Sequence, residues 1–204
     1  MPPKIIGISG TNGSGKDSVG RILVQKHNYL FVSGSDMLRH DLKRRGIPLN
    51  RDETSKLSAA WRTEFGLGVI IDKAVDEYEK QGGSSKYAGL AIASLRNPGE
   101  ADRVHELGGK VIWIDADPKL RYERIRANSV NRGKDRAESD NVSFNQFLAD
   151  EAREMDHKGE HKKDPTILAM GLVKEKSDLL LINDGNDMSQ LETKLNRLLG
   201  FSLS

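Results

Sequence analysis

A short glycine-rich stretch carries the clearest chemical signal in this sequence. It runs from Gly10 to Lys16 in the pattern G-x-x-x-x-G-K, after an apolar run and before a helical pattern. Such glycines let successive backbone N–H groups curl around phosphate oxygens, and the following helix adds its free N-terminal amides. Lys16 supplies a cation for the outer phosphates, whereas the alternative is an ordinary glycine-rich turn. The predicted nucleotide-phosphate contacts are Gly10, Asn12, Gly13, Ser14, Gly15, Lys16, Asp17 and Ser18.

The residue after the lysine departs from this pattern. Ser or Thr normally stands there and its hydroxyl binds magnesium, but here the residue is Asp17. A carboxylate is an acceptable hard ligand for Mg²⁺, although without the metal it would repel the phosphates. Ser18 faces a different direction on the helix. We therefore predict that Asp17 is a metal group, and the alternative is that it only caps the helix.

The elements around this loop have the pattern of an α/β domain. Continuous apolar runs at residues 5–8, 29–32, 90–93, 111–114 and 179–182 predict strands covered by helices on both faces. Helical stripes follow, and Asn97-Pro98, Asp117-Pro118 and Asp164-Pro165 each have the residues of a helix start. Strand–helix alternation of this kind predicts a parallel sheet with right-handed crossovers. One domain over residues 1–204 is expected, with helical and polar inserts at residues 37–86 and 128–163.

Three further segments resemble the P-loop nucleoside monophosphate kinase family. Asp36-Met37-Leu38-Arg39 matches the end of the T-G-D-M-L-R motif of adenylate kinases, and residues 94–100 (SLRNPGE) are similar to the R-F-P-N-E stretch of phage-type deoxynucleoside monophosphate kinases. Those enzymes also carry S-G-K-D in the loop, and residues 182–185 (INDG) resemble the family's loop beside the nucleotide base. The layout is also similar to that of proteins related to dephospho-CoA kinases.

The resemblance implies a P-loop kinase three-layer αβα sandwich with parallel strand order 2-3-1-4-5. It implies ATP with Mg²⁺ as the donor, with Asn183 and Gly185 joining the ATP site. Arg39 and Arg96 would hold the acceptor's phosphate, because guanidinium groups bind phosphate oxygens two at a time. Asp36 would lie near the transferred group and is assigned to both the acceptor site and catalysis. The alternatives are surface ion pairs for the arginines and a helix cap for Asp36.

A second departure concerns the third strand. Relatives usually end it with an Asp that orients the magnesium shell, whereas this strand ends Ala93-Ser94. Either Asp17 replaces that carboxylate, or metal handling is weakened and turnover is slow.

A basic segment between residues 119 and 136 stands where the family keeps its lid. A closing lid of arginines neutralises charge and excludes water during phosphoryl transfer. The candidate catalytic residues there are Arg126, Arg132 and Arg136, beside Lys16, whereas Arg121 and Arg124 are expected on a solvated helix face. No aromatic residues interleave with these charges, so nucleic acid is not the expected partner. The H-x-x-E-H match at residues 157–161 contains a glycine and lacks an apolar face, and is interpreted as chance.

Composition bounds the function. The 204 residues carry a net charge of only +2 and no cysteine, which excludes a disulfide framework and a zinc–thiolate site. No apolar run is long enough for a membrane span, and no signal-peptide pattern precedes the first strand, so a cytoplasmic protein is expected. Monomer and homodimer both stay open.

The function predicted from these features is Mg²⁺-dependent transfer of a phosphoryl group from ATP to a small phosphorylated acceptor, a nucleoside or deoxynucleoside monophosphate. One alternative is a dephospho-CoA kinase, disfavoured because Ser35-Asp36-Met37 stands where that family usually has D-A-D. The other is a nucleotide-dependent switch without a small acceptor. The missing strand-three Asp favours the switch, and the paired Arg39 and Arg96 disfavour it.

Overall fold

Five short strands form one parallel sheet in the order β2-β3-β1-β4-β5. The computed structural model describes residues 2–127, 142–155, 158–185 and 187–202. The strands are β1 (Ile5–Gly10), β2 (Tyr29–Ser33), β3 (Gly89–Ala93), β4 (Lys110–Asp115) and β5 (Leu179–Ile182). All five predicted strands and their predicted order are confirmed.

Helices connect these strands. Within the described residues they are α1 (Lys16–His27), α2 (Gly34–Arg44), α3 (Arg51–Phe65), α4 (Val69–Lys80), α5 (Gly83–Lys86), α6 (Pro98–Glu106), α7 (Pro118–Ala127), α8 (Phe144–Met155), α9 (Lys158–His161), α10 (Met170–Glu175) and α11 (Met188–Leu199).

Alternate residues of each central strand pack against opposite helical layers. In β4, Ile112 and Ile114 face a cluster that includes residues of α1 and α11, whereas Val111 and Trp113 face one that includes residues of α4, α6 and α10. Because both faces are covered, nearly every residue of the central strands is buried, which explains why the apolar runs are continuous rather than alternating. The result is the predicted three-layer sandwich.

The segment between β2 and β3 is helical, as its periodicity predicts. Helices α2, α3 and α4 bury a small core of their own that includes Leu42, Leu57, Trp61 and Ile70. The N-terminal ends of α2 and α3 both reach the large cavity described below. Whether this segment is an acceptor-binding unit stays a prediction.

Two of the three predicted helix starts are confirmed. Asn97 caps α6 in a capping box with Glu100, and the Asp117 carboxylate accepts the N–H groups of Lys119 and Leu120. The start at Asp164-Pro165 is wrong, because the Asp164 carboxylate closes a local turn on Thr166 and the next helix begins only at Met170. A side chain that can cap a helix can equally satisfy a turn.

None of the helices in the described ranges is both long enough and apolar enough to cross a membrane.

Candidate functional site

The glycine-rich loop leaves β1 at the middle of the sheet and ends at the first residue of α1. Three of its glycines have positive φ angles, 140° at Gly10, 78° at Gly13 and 102° at Gly15. At Gly13 an added Cβ would lie 2.7 Å from the Arg121 carbonyl oxygen, and at Gly10 it would collide with the Ile114 carbonyl. Side chains are therefore excluded where the backbone turns, and glycines at such turns are what a phosphate-binding loop requires.

Lys16 lies folded over this loop. Its Nζ donates hydrogen bonds to the carbonyl oxygens of Gly10 at 2.8 Å and Thr11 at 2.7 Å. The Ser14 hydroxyl is buried beneath the loop, and it has no hydrogen-bond partner among the described residues. A buried polar atom without a partner is uncommon in native proteins. An oxyanion in the loop would meet the lysine charge and the amide groups together, so these residues fit the phosphates of a nucleotide.

Asp115, at the carboxyl end of β4, is hydrogen-bonded to the glycine-rich loop. Its carboxylate accepts hydrogen bonds from Thr11 Oγ1 and from the Ala116 N–H, both at 2.9 Å. Burial alone would raise the pKa of this carboxyl, but these bonds, the Trp113 indole and the nearby Arg121 charge hold the pKa below its ordinary value. Asp115 was not among the site residues predicted from the sequence. The available signal was a carboxylate at the end of β4, the strand that pairs with β1.

Arg121 was expected on a solvated helix face, and this expectation is wrong because the structure buries it. Its side chain is only 2% exposed, because it pairs with both carboxylate oxygens of Glu151 on α8 and donates to the carbonyls of Asn12 and Ala116. Burying a guanidinium requires such a partner, and here the partner lies 30 residues away in sequence. Arg121 therefore joins the loop to α8.

Arg124 was also expected on a solvated helix face, but it is partly buried beside the cavity. Its guanidinium donates hydrogen bonds to the Asn183 and Gly185 carbonyls, the former at 2.9 Å, and it lines the large cavity. Asn183, predicted to contact ATP, is buried and donates from Nδ2 to the Ser14 carbonyl at 2.8 Å. The loop after β5 is thus attached to both the glycine-rich loop and α7.

The glycine-rich loop opens into a cavity of about 1560 Å³. Its walls include the N-terminal parts of α2 and α3, the residues after β3, the end of α8, and Gly185. One small-molecule site usually occupies about 300–1,000 Å³. The volume is sufficient for a nucleotide and a second ligand beside it.

Both predicted acceptor arginines line this cavity. Arg39 pairs with Asp36 at 2.6 Å and donates to the Ser35 hydroxyl at 3.4 Å, whereas Arg96 pairs with Glu154 at 3.2 Å. Asp36 itself is not among the described cavity-lining residues, and its side chain is 64% exposed. The alternative that Asp36 caps α2 is wrong, because the Ser33 hydroxyl accepts the Asp36 N–H and is the cap.

A buried ion pair fixes the position of the Arg96 backbone. Glu100 Oε1 accepts from Arg62 at 2.7 Å, while Oε2 accepts the N–H groups of Arg96 at 2.7 Å and Asn97 at 3.1 Å. The side chains of Arg62 and Glu100 are 2% and 1% exposed. Arg62 also donates to the Thr166 carbonyl at 2.8 Å, so the pair connects α3, α6 and the segment before α10. Sequence reasoning missed it.

Asp17 lies on the cavity wall with its side chain exposed. The alternative that it caps α1 is wrong, because the cap residue is Gly15 and no side chain makes a capping hydrogen bond there. In the described ranges no group of three or more His, Cys, Asp or Glu residues could hold a metal ion. Magnesium at a nucleotide site needs fewer, since it binds one or two carboxylates together with phosphate oxygens and waters. Asp17 fits that requirement.

Ser94 occupies the place after β3 where the sequence resemblance leads one to expect a carboxylate. It has a φ angle of 72°, and its hydroxyl lies 3.3 Å from the Ser35 hydroxyl. A left-handed backbone at a residue other than glycine is uncommon and is found often at functional sites.

Arg126 lies within the described part of the basic segment, but away from the described cavity lining. Arg126 is exposed, with its guanidinium 5.8 Å from the centre of the Tyr122 ring, and it is not among the described residues lining the cavity. Arg132 and Arg136 lie outside the described residues, as does His157 of the H-x-x-E-H match. His161, from the same match, contacts the Ile167 carbonyl.

Two further charged residues at the cavity, Arg51 and Glu154, were not predicted from the sequence. Arg51, the first residue of α3, lies 3.4 Å from Glu154, which Arg96 also contacts. Burial alone would raise the pKa of the Glu154 carboxyl, but the charges of Arg96, Arg51 and Lys16 hold it below its ordinary value. Nothing in the spacing of these residues indicates that they meet, because they come from three separate segments.

Comparisons with known proteins agree with this fold and loop. A family model described as an AAA domain matches residues 6–148. A UPF0200 protein of Pyrobaculum aerophilum is 27% identical over 202 residues, which are 96% of each chain. Among solved structures, shikimate kinase from Bacteroides thetaiotaomicron is 13% identical with a TM-score of 0.52 and 95% of each chain covered. Shikimate kinase from Acinetobacter baumannii, in complex with shikimate, is 17% identical with a TM-score of 0.52, covering 100% of this chain and 97% of that one.

At these low identities the two structures show the fold alone. That fold is the P-loop kinase fold, as the sequence resemblance predicted.

Proposed function

The chain belongs to the AAA-domain family, and from this premise we propose that it transfers a phosphoryl group from ATP to a small phosphorylated acceptor with the help of Mg²⁺. The preferred acceptor class is a nucleoside or deoxynucleoside monophosphate. The observation that carries the proposal is the shared cavity, in which the glycine-rich loop and the cationic side chains of Arg39 and Arg96 line one continuous space.

Each part of the cavity has a role in this reaction. The loop amides and Lys16 would bind the phosphates of ATP and neutralise the charge that develops on the transferred group. Arg39 and Arg96 would orient the acceptor by its phosphate, so that its attacking oxygen faces the donor. Asp17 would hold Mg²⁺, which supplies further charge neutralisation when bound. The predicted lid residues Arg126, Arg132 and Arg136, and the catalytic role of Asp36, remain part of the proposal.

A second function is favoured by one observation. Ser94 stands where relatives carry the carboxylate that orients magnesium, and a protein with weakened metal handling could act as a nucleotide-dependent switch rather than a kinase. The arginines argue against this alternative, because a switch without a small acceptor has no need for a second cationic site beside the phosphate loop.

The test is release of ADP from ATP and Mg²⁺ with and without candidate acceptors. The panel contains nucleoside and deoxynucleoside monophosphates and dephospho-CoA, with shikimate added because a structure of similar fold binds it. We expect a monophosphate to raise the rate well above the basal rate and shikimate to leave it unchanged. Stimulation by dephospho-CoA alone would change the acceptor class, and a rate that no acceptor raises would favour the switch.

The control for this assay is Arg197→Gln. Arg197 is an exposed arginine on α11, so this variant loses one positive charge away from the cavity wall. We expect it to match the wild-type protein with every acceptor in the panel.

A further inference from the structure

Two arginines from separate segments meet on a single carboxylate oxygen inside the cavity. Arg51 Nη1 lies 3.4 Å and Arg96 Nη1 lies 3.2 Å from the same atom, Oε1 of Glu154. Their nitrogens can therefore be no farther apart than the sum of those distances, which brings both within reach of one anionic group. The cavity that all three residues line also contains Lys16.

The electrostatics define a position for negative charge. Glu154 is a monoanion in the field of Arg96, Arg51 and Lys16, which outweighs the effect of burial on the pKa of its carboxyl. Its side chain is 21% exposed, so it lies at the cavity wall and not in the core. Two guanidinium groups, one from α3 and one from the loop after β3, thus contact one anion, and the charge of Lys16 also acts on it.

The contacts that hold this carboxylate are loose. Charge-assisted N–H···O bonds are typically about 2.7–2.9 Å long, and guanidinium–carboxylate pairs often form two such bonds. Here each arginine makes a longer contact to the same oxygen. A phosphomonoester offers up to two negative charges and three oxygens, and each guanidinium can bind it with two parallel N–H groups. The site therefore suits a phosphate better than it suits its present occupant.

We propose that Arg51 and Arg96 form a two-guanidinium clamp for the acceptor's phosphomonoester, and that Glu154 is an internal anion that fills the clamp until the acceptor binds. That the bound phosphate belongs to the acceptor rests on the proposed function. The clamp itself does not require phosphoryl transfer. Arg51 becomes a binding residue in addition to Arg96. Glu154 becomes a competitor that keeps the site closed to weakly bound anions.

A purely structural role for Glu154 makes the opposite prediction. If the carboxylate only holds the arginines in place, neutralising it disorders them and weakens phosphate binding. If it competes, neutralising it increases the fraction of clamp available and tightens binding by that factor. Asp150, one turn earlier on α8, also lines the cavity, but it pairs with Arg153 and is left unchanged in the test.

The test uses inorganic phosphate as the probe, titrated by phosphorus NMR or calorimetry into the full chain. All variants carry Lys16→Ala, which weakens the competing phosphate site on the glycine-rich loop, so that differences among the variants report the arginine clamp. In this background Glu154→Gln should bind phosphate about 10-fold more tightly, and Arg51→Gln about 10-fold more weakly, each near the value of one charge-assisted contact. Exposed Glu64→Gln on α3 and Arg197→Gln on α11 are the matched controls and should change affinity by less than about 2-fold.

Three results would overturn the clamp. They are unchanged or weaker binding in Glu154→Gln, unchanged binding in Arg51→Gln, and the absence of saturable phosphate binding from every variant. Thermal unfolding of each variant is measured alongside, and a Glu154→Gln protein that does not fold is replaced by Glu154→Ala. Phosphate binding that follows the prediction while no acceptor raises ADP release would refute the proposed function and leave the clamp intact.

Discussion

The buried pair of Arg62 and Glu100 allows a quantitative prediction. Glu100→Gln keeps the size of the side chain but leaves one acceptor oxygen where the carboxylate has two. That oxygen can accept from Arg62 or from the Arg96 and Asn97 amides, and the amide nitrogen then faces donors on the other side. Arg62, only 2% exposed, would also lose its counter-charge.

The expected loss of stability is large. Removing one partner of a buried ion pair costs about 3–5 kcal/mol, because the other charge stays buried without compensation. In a chain of this length each kcal/mol corresponds to about 2–4 °C in melting temperature, so Glu100→Gln should melt roughly 10 °C below the wild type. Circular dichroism melts measure this directly. Glu106→Gln is the control on the same helix. Glu106 is 61% exposed and its partner Arg103 is 36% exposed. Because surface ion pairs contribute only about 0–1 kcal/mol, this variant should melt close to the wild type.

A double variant separates stability from positioning. Arg62→Met with Glu100→Leu replaces the pair with apolar side chains, which is often neutral for stability. Its melting temperature should recover part of the loss, because the buried charge is gone while the Arg96 and Asn97 amides still lack their acceptor. The KM for the acceptor should lie above the wild-type value in both variants, because the Arg96 backbone is no longer held. A Glu100→Gln protein that melts within about 2 °C of the wild type would refute the assignment of a buried, charged pair.

Three further predictions follow from single residues. Arg39→Ala should raise the KM for the acceptor about 10- to 150-fold, because a lost charge-assisted contact costs about 1.5–3 kcal/mol. Steady-state kinetics measures this change. An equal rise in the KM for ATP would show that Arg39 is not part of the acceptor site. Asp17→Asn should raise the Mg²⁺ concentration needed for half-maximal rate while leaving metal-free ATP binding unchanged or tighter, because a repulsive charge is gone; superimposable magnesium titrations would contradict a metal role. Although burial works against it, hydrogen bonds from the Val111 N–H, Lys110 and His105 lower the pKa of Asp178 from 3.8 to about 2. Its stabilising contribution is therefore present above pH 4 and lost as the pH falls towards 2. The stability of Asp178→Asn should fall less steeply than that of the wild type over that range in acid unfolding curves, and parallel curves would contradict the assignment.

The sheet and the phosphate loop could be predicted because their signals are local. Continuous apolar runs report strands buried on both faces, and the glycines with Lys16 report a backbone conformation that few other residues allow. The strand order came from the family resemblance and is confirmed. The wrong helix start at Asp164 has a local cause too, since an Asp before a proline suits a turn as well as a helix.

The charged residues were harder to assign because their environment is set by distant partners. Arg121 is buried since Glu151 reaches it from α8, and Glu154 meets Arg51 and Arg96 only after α3, β3 and α8 have packed. A sequence window contains one member of each pair and therefore shows only a polar side chain. Asp115 is different, because its position at the end of a central strand could have identified it.

Transfer of labelled phosphate tests the central proposal most directly. ATP labelled with ³²P at the γ position is incubated with Mg²⁺, the protein and a nucleoside monophosphate, and the products are separated. We expect the label to appear in the acceptor at a rate that Lys16→Ala lowers at least 10-fold, since the lysine lies on the phosphate loop itself and should contact the outer phosphates. Label found only in inorganic phosphate, or transfer that survives Lys16→Ala at more than about a tenth of the wild-type rate, would contradict it.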